Sequence, residues 1–234
     1  LEMMFEKIKN AERPCILAGN GIANSHNIEE FREFAERTGI PVIAACIAAD
    51  AMYMDYDNYY GLSGSIGPRT GNFIVQNADV ILALGCSMGF KMTGFEQKKF
   101  APHAYIIAVD IDRNEMIKPG VRIDMFIHSD LTAFFNKANE SVCRVEVKSE
   151  WDNYCKHLKK RFSVFEPAAG LSDDERVCSY KFWEEYEKYE PEDSITVLGN
   201  NTANSAKLQI GIKRAGQRIV ANNNCGSMGA DLPE

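Results

Sequence analysis

Four continuous apolar runs constrain the fold of this chain more than any other feature of it. They are Cys15-Ile16-Leu17-Ala18, Val42-Ile43-Ala44-Ala45, Val80-Ile81-Leu82-Ala83-Leu84 and Ile106-Ile107-Ala108-Val109. A strand with one wet face alternates apolar and polar residues. An unbroken run needs cover on both faces, which a parallel sheet flanked by helices provides. The intervening stretches have helical character. Ile28, Phe31, Ala35 and Thr38 recur at helical spacing, Asn27 and Glu30 suit a cap and its third-position partner, and Gly39 supplies a stop. A short helix over 72–77, a short strand near 121–127 and a helix from Leu131 to about Asn139 complete an α/β unit. Residues 50 to 71 carry aromatics and several glycines, which predicts a long irregular crossing.

The texture changes at Ser141. A helix is predicted over 149–162, and Pro167, Gly170 and the charged stretch to Arg176 read as linker. A helix from Ser179 to Tyr189 ends before Pro191, and Ser194–Leu198 repeats the strand signature. A small-residue helix follows, and Arg218-Ile219-Val220 opens one more strand. The expected division is therefore 1–140, a linker with a helix over 141–178, and the start of a second α/β unit over 179–234. Two strands with one or two helices cannot enclose a core, so this second unit reads as truncated.

Composition narrows the partners. An apolar fraction of 45% with 25% charged residues is that of an ordinary folded domain, and a net charge of −7 disfavours a nucleic-acid surface. Lys98-Lys99 and Lys159-Lys160-Arg161 read as solvated helix faces. No run is long and apolar enough for a membrane span. The 7 cysteines form no Cys-x-x-Cys pair, which suits a reducing cytoplasm. His26, His103, His128 and His157 stand apart, so no metal site is expected.

Two places have chemical potential on local grounds. Gly19-Asn20-Gly21 follows a strand and precedes a helix, where backbone amides can meet a phosphate. The dinucleotide fingerprint fails there, because Asn24 stands where a third glycine belongs. A plain turn that needs glycine explains it equally well. Asp110-Ile111-Asp112 lies at the carboxyl end of a strand, where open α/β sheets bind ligands and an aspartate can accept ribose hydroxyls. An aspartate that only caps the next turn is the simpler alternative.

A series of segments resembles the thiamine-diphosphate-dependent enzymes of the acetolactate synthase type. Pro14–Gly21, Gly39-Ile40-Pro41-Val42, Ala78–Gly85, Phe100-Ala101-Pro102-His103-Ala104 and Val109–Asp112 with Glu115 and Lys118 look like that family's central domain in order and spacing. Leu198-Gly199-Asn200-Asn201-Thr202 and Gly226-Ser227-Met228-Gly229-Ala230-Asp231-Leu232-Pro233 resemble the start of its cofactor-binding domain. The resemblance implies a six-stranded Rossmann-like central domain of the kind that binds NAD or FAD.

It also implies that Asn201 and Thr202 face the diphosphate of thiamine diphosphate. Gly226, Ser227 and Met228 would then hold the aminopyrimidine. Gly19, Asn20, Gly21, Asp110 and Ile111 would form an ADP or FAD site. Flavin is not expected to bind tightly, because Gly85-Cys86-Ser87-Met88-Gly89-Phe90-Lys91 lacks the arginines and aspartates usual in flavin-binding members, and Ile66 stands where a histidine is common.

The implied reaction decarboxylates a 2-keto acid such as pyruvate and joins the product to a second carbonyl. The activating glutamate and the Mg²⁺-binding segment belong to family parts without counterpart here. No catalytic residue is therefore expected within this chain, which alone should be inactive, and its parent should be a homo-oligomer. Another thiamine-dependent decarboxylase or lyase, a nucleotide-binding module without chemistry, and a structural spacer are the alternatives.

Overall fold

A computed structural model describes residues 1–141, 144–164, 177–222, 226–229 and 231. Pro167, Gly170, Arg176, Cys143, Cys225, Ala230, Leu232 and Pro233 lie outside the described residues. The first unit is a six-stranded parallel sheet in the order β3-β2-β1-β4-β5-β6. Its strands are β1 (Pro14–Ala18), β2 (Val42–Ala45), β3 (Tyr59–Ser63), β4 (Val80–Leu84), β5 (Tyr105–Asp110) and β6 (Met125–His128). Every residue of β1 to β4 is buried. Helices α1 (Glu2–Lys9), α2 (Gly21–Asn24), α3 (Ile28–Thr38), α4 (Arg69–Asn77), α5 (Phe90–Thr93), α6 (Asn114–Ile117) and α7 (Leu131–Ser141) accompany the sheet.

The chain winds β1 to β3 outward on one side, then crosses to β4 beside β1 and continues to β6. Strand order thus reverses between β1 and β4, and a crevice opens at their carboxyl ends.

Two expectations about the first 140 residues are corrected. The crossing over 50–71 is not wholly irregular, because Tyr59–Ser63 forms edge strand β3. Its Gly61 and flanking glycines hid it from a propensity reading. Asn27 stands at the N-cap of α3 but its side chain does not cap. It is buried, and its Nδ2 donates to Ser25 O at 2.7 Å and Thr132 Oγ1 at 3.0 Å, tying α3 to the start of α7. Gly39 ends α3 at φ 68° in the left-handed region that glycine tolerates.

Helix α8 (Ser149–Arg161) packs back onto the first sheet rather than hanging free. Trp151 Nε1 donates to Pro14 O at 3.0 Å and Thr70 Oγ1 to Leu158 O at 3.2 Å. Lys159 departs from a fully solvated face: its Nζ donates to Tyr56 O at 3.1 Å, and burial lowers its pKa.

The second unit comprises α9 (Ser179–Tyr186), β7 (Ile195–Leu198), α10 (Thr202–Ile210) and β8 (Arg218–Ala221), with β7 and β8 paired in parallel. It leans on the crossing segment of the first unit. Met54 N donates to Ile212 O at 2.8 Å, and Gln209 Nε2 to Ile66 O at 2.6 Å. Asp50 is 2% exposed and accepts from Arg218 Nε at 2.5 Å and Ile219 N at 3.1 Å. Asp50→Ala leaves a buried amide and a guanidinium unpaired and is expected to cost about 2–3 kcal/mol. Urea unfolding checks this, with Asp50→Asn expected to lose less than Asp50→Ala because its amide oxygen can still accept from Ile219 N.

Candidate functional site

A cleft of about 790 Å³ lies at the carboxyl ends of β1, β2, β4 and β5. Gly19, Asn20, Gly21, Asp110 and Ile111 all border it, as do Cys86 to Lys91 of the loop after β4. The second unit closes one side with Asn200, Asn204 and Ser205.

The glycines at the switch point have a steric role. A Cβ on Gly19 would sit 2.1 Å from Gly85 O and 2.4 Å from Cys86 Cα, and one on Gly21 would sit 2.8 Å from Gly85 Cα. Two loops cross here nearly backbone on backbone. Gly19 and Gly21 are needed for that approach and not for left-handed dihedrals, whereas Gly85 itself adopts φ 53°. The crossing takes up the turn's amides: Gly19 N donates to Leu84 O at 2.9 Å and Gly21 N to Gly85 O at 3.0 Å. The Asn20 side chain pairs with Asn24 Oδ1 at 3.1 Å.

Acidic groups line the β5–β6 side. Asp110 Oδ1 accepts from Asp112 N at 2.9 Å, Asp112 Oδ1 from Asn114 N at 2.9 Å, and Asp130 Oδ1 from Thr132 N at 2.8 Å. Glu115 pairs with Lys118. Among the described residues Lys91 is the one basic side chain bordering the cleft. Phe90 is 55% exposed at the rim and stacks with Phe95, ring centroids 5.8 Å apart. Met88 is buried beneath at φ 46°, a costly backbone state for a side-chain-bearing residue. Burial pushes the Cys86 thiol up to about 11 and raises Cys46 as well, so neither offers a thiolate nucleophile at neutral pH.

The second cluster of sequence-predicted residues lies at the β7–α10 turn. Asn201 caps α10, its side chain accepting from Asn204 N at 2.9 Å, and Thr202 is exposed at the helix start. The Gly226 turn sits against this one: Asn200 Nδ2 donates to Gly226 O at 2.7 Å, and Asp231 lies against Gly199. Gly226 (φ 63°) and Gly229 (φ 77°) are both left-handed. A Cβ on Gly229 would meet nothing within 4 Å, and Met228 is 86% exposed. The turn is therefore an open surface feature with a large apolar side chain standing out of it. None of Asn201, Thr202, Gly226, Ser227 or Met228 borders the 790 Å³ cleft, but their neighbour Asn200 does.

Sequence reasoning missed Asn200, Asn204, Ser205 and Asp130 as cleft residues. Asp130 gave a signal as an acid just after β6, in the manner of Asp110 at the end of β5, and Asn200 stood within the Leu198–Thr202 motif. Among the described residues no group of His, Cys, Asp and Glu is arranged to hold a metal ion, and no helix is long and apolar enough to cross a membrane.

An open parallel sheet with helices on both sides and a crevice at its switch point defines a Rossmann-like ligand-binding domain. Comparison with known proteins is more specific. Residues 1–137 match the family model described as thiamine pyrophosphate enzyme, central domain. The chain belongs to that family and is similar to acetolactate synthases.

The acetolactate synthase isozyme 2 large subunit of Escherichia coli (strain K12) is 28% identical over 163 residues, covering 70% of this chain and 29% of the relative. A probable acetolactate synthase large subunit of Methanocaldococcus jannaschii is 34% identical over 155 residues, covering 65% of this chain and 26% of the relative. The acetolactate synthase large subunit of Lactococcus lactis subsp. lactis is 21% identical over 245 residues, covering 100% of this chain and 40% of the relative. The chain thus spans less than half the length of these relatives.

Proposed function

We propose that this chain is part of a thiamine-diphosphate-dependent enzyme that decarboxylates a 2-keto acid such as pyruvate and joins the product to a second carbonyl compound. The observation that carries this reading is the open Gly226–Gly229 turn beside the start of α10, with Met228 86% exposed. A mobile thioether on two left-handed glycines suits a wedge under a planar ring. The adjoining helix start, with Thr202 exposed, favours an anionic group.

In this reading Gly226, Ser227 and Met228 hold the aminopyrimidine, and Asn201 and Thr202 face the diphosphate. Thiamine diphosphate supplies the electron sink for decarboxylation when bound. The chain's own part is to orient the ring and present polar groups to the phosphates. Mg²⁺ and the remaining catalytic groups come from other domains of the same enzyme. Residues 1–140 are the spacer domain, 141–178 the connection and 179–234 the beginning of the cofactor domain. The parent works in the cytoplasm as a homo-oligomer. The buried cysteines Cys15, Cys86 and Cys155 are all free thiols, which supports that compartment.

The test is a product assay on pyruvate with thiamine diphosphate and Mg²⁺. The full-length parent is expected to form a 2-hydroxy-3-keto acid, and the 234-residue chain alone to turn over nothing. Met228→Ala in the parent is expected to lower kcat/KM by about tenfold or more. Turnover by the isolated chain, or an unaffected Met228→Ala enzyme, would contradict the assignment.

A further inference from the structure

Helix α10 carries Asn201 and Thr202 at one end and is fastened to the first unit at the other. At the far end Gln209 Nε2 donates to Ile66 O, Met54 N donates to Ile212 O, and Tyr53 and Ile212 form an isolated parallel bridge. Strand β8 is tied to the same stretch, because Asp50 accepts from Arg218 Nε and Ile219 N. The base of the second unit therefore takes its position from residues 50–54, a run of turns and bends. Arg32, on α3, holds that run from the first unit. Its Nε donates to Ala51 O at 3.2 Å, its Nη2 to Asp50 O at 3.2 Å and its Nη1 to Tyr53 Oη at 2.7 Å. The guanidinium carbon also lies 4.0 Å from the Tyr53 ring centroid. The Arg32 side chain is 12% exposed, and its one carboxylate partner, Glu29, is 78% exposed. The geometry is that of a clamp on the 50–54 backbone rather than of a surface ion pair. A rigid planar fork can reach these acceptors and stack at once, which a lysine cannot.

We infer that Arg32 is a positioning residue for thiamine diphosphate, acting through residues 50–54 and α10 on Asn201 and Thr202. The inference rests on the thiamine reading of the α10 turn. Arg32 acts at a distance: its hydrogen bonds go to Glu29, Asp50, Ala51 and Tyr53, none of them assigned to the cofactor. Helix α10 has 9 residues, a rise of about 13 Å, and it transmits a tilt at its base to its tip as a stiff rod. Misplacing a binding group by about 1 Å can cost on the order of a hundredfold, so a loosened base is felt at the diphosphate.

Calorimetric titration of the full-length parent with thiamine diphosphate and Mg²⁺ tests this, together with hydrogen exchange at the Met54 amide. Arg32→Met keeps the aliphatic stem and loses the fork. It is expected to weaken cofactor binding by about tenfold or more and to speed exchange at Met54, while kcat at saturating cofactor stays within about twofold. Arg32→Lys, the milder change should Arg32→Met fail to fold, is expected to weaken binding severalfold. Asn27→Ala is the control for a merely structural role. It cuts the tie between α3 and Thr132 but leaves the 50–54 contacts in place. It is expected to lower stability and to leave both cofactor affinity and Met54 exchange unchanged. Arg32 variants that bind the cofactor as tightly as the unaltered parent, or no more weakly than Asn27→Ala does, overturn the inference and leave the thiamine reading standing. An unaltered parent that binds no thiamine diphosphate overturns both.

Discussion

Gly19→Ala is expected to destabilise the chain by about 3 kcal/mol or more, lowering the urea midpoint by about 1 M or more, and in the extreme to leave it unfolded. The cause is local and severe. The new methyl carbon would lie 2.1 Å from Gly85 O and 2.4 Å from Cys86 Cα, and both obstacles are backbone. A flexible side chain could swing aside; a carbonyl that accepts from Gly21 N cannot do so without breaking that bond. Moving the β4 loop would also disturb Gly85 N, which donates to Val109 O at 2.9 Å and so joins the crossing to β5. Gly89→Ala is the matched control, since that glycine lies in the same loop at φ −70° with nothing within 4 Å of a Cβ. It is expected to change stability by less than about 0.5 kcal/mol. Equal effects at the two positions would show that the loops do not cross as described.

The second large effect is expected at a buried ion pair that no sequence signal revealed. Lys207 Nζ lies 2.7 Å from Glu190 Oε2, with the two side chains 1% and 2% exposed. Thr196 Oγ1 donates to the other carboxylate oxygen at 2.6 Å, and the Lys207 ammonium sits 5.5 Å from the Trp183 ring centroid. The pair therefore links α10, β7, α9 and the turn before β7, and it anchors the second unit internally. Lys207→Ala leaves a carboxylate buried without its counter-charge and is expected to cost about 3–5 kcal/mol. The double replacement Lys207→Met/Glu190→Leu removes both charges together and is expected to be close to neutral.

The pH dependence distinguishes the two cases. Burial would raise the Glu190 carboxyl, but hydrogen bonds from Lys207 and Thr196 together with the lysine charge hold it below the ordinary 4.5. A carboxyl with a depressed folded-state value contributes stability that is complete above its unfolded pKa and is lost as pH falls through the folded one. The native chain should therefore lose more stability than the double variant as pH drops below about 4.5. Parallel curves for the two proteins would refute a stabilising role for the pair.

Legibility differed by element for physical reasons. Strands β1, β2, β4 and β5 were readable because burial on both faces leaves an unbroken apolar run. The ends of α3 and α7 were readable because helical spacing and a left-handed glycine are local properties. Edge strand β3 was not, since its Tyr59-Tyr60-Gly61-Leu62-Ser63 sequence becomes a strand only when β2 offers it a ladder. Asn27 was misassigned because its local preference for capping lost to a distant partner, Thr132. Gly19 and Gly21 read in the sequence as a turn that needs glycine's freedom or as a phosphate contact, whereas their close approach to Gly85, which only the fold supplies, is what requires glycine there.

The sequence by itself determined the α/β class, the parallel sheet and the resemblance to thiamine-diphosphate enzymes, because hydrophobic period and short motifs are written along the chain. Tertiary structure alone decided that Asp110 and Phe90 border one cleft, that Asn200 reaches both that cleft and the Gly226 turn, and that Lys207 is buried on Glu190. Those pairings join positions far apart in the chain, and charge or contact between them exists only once the sheet has brought its carboxyl ends together.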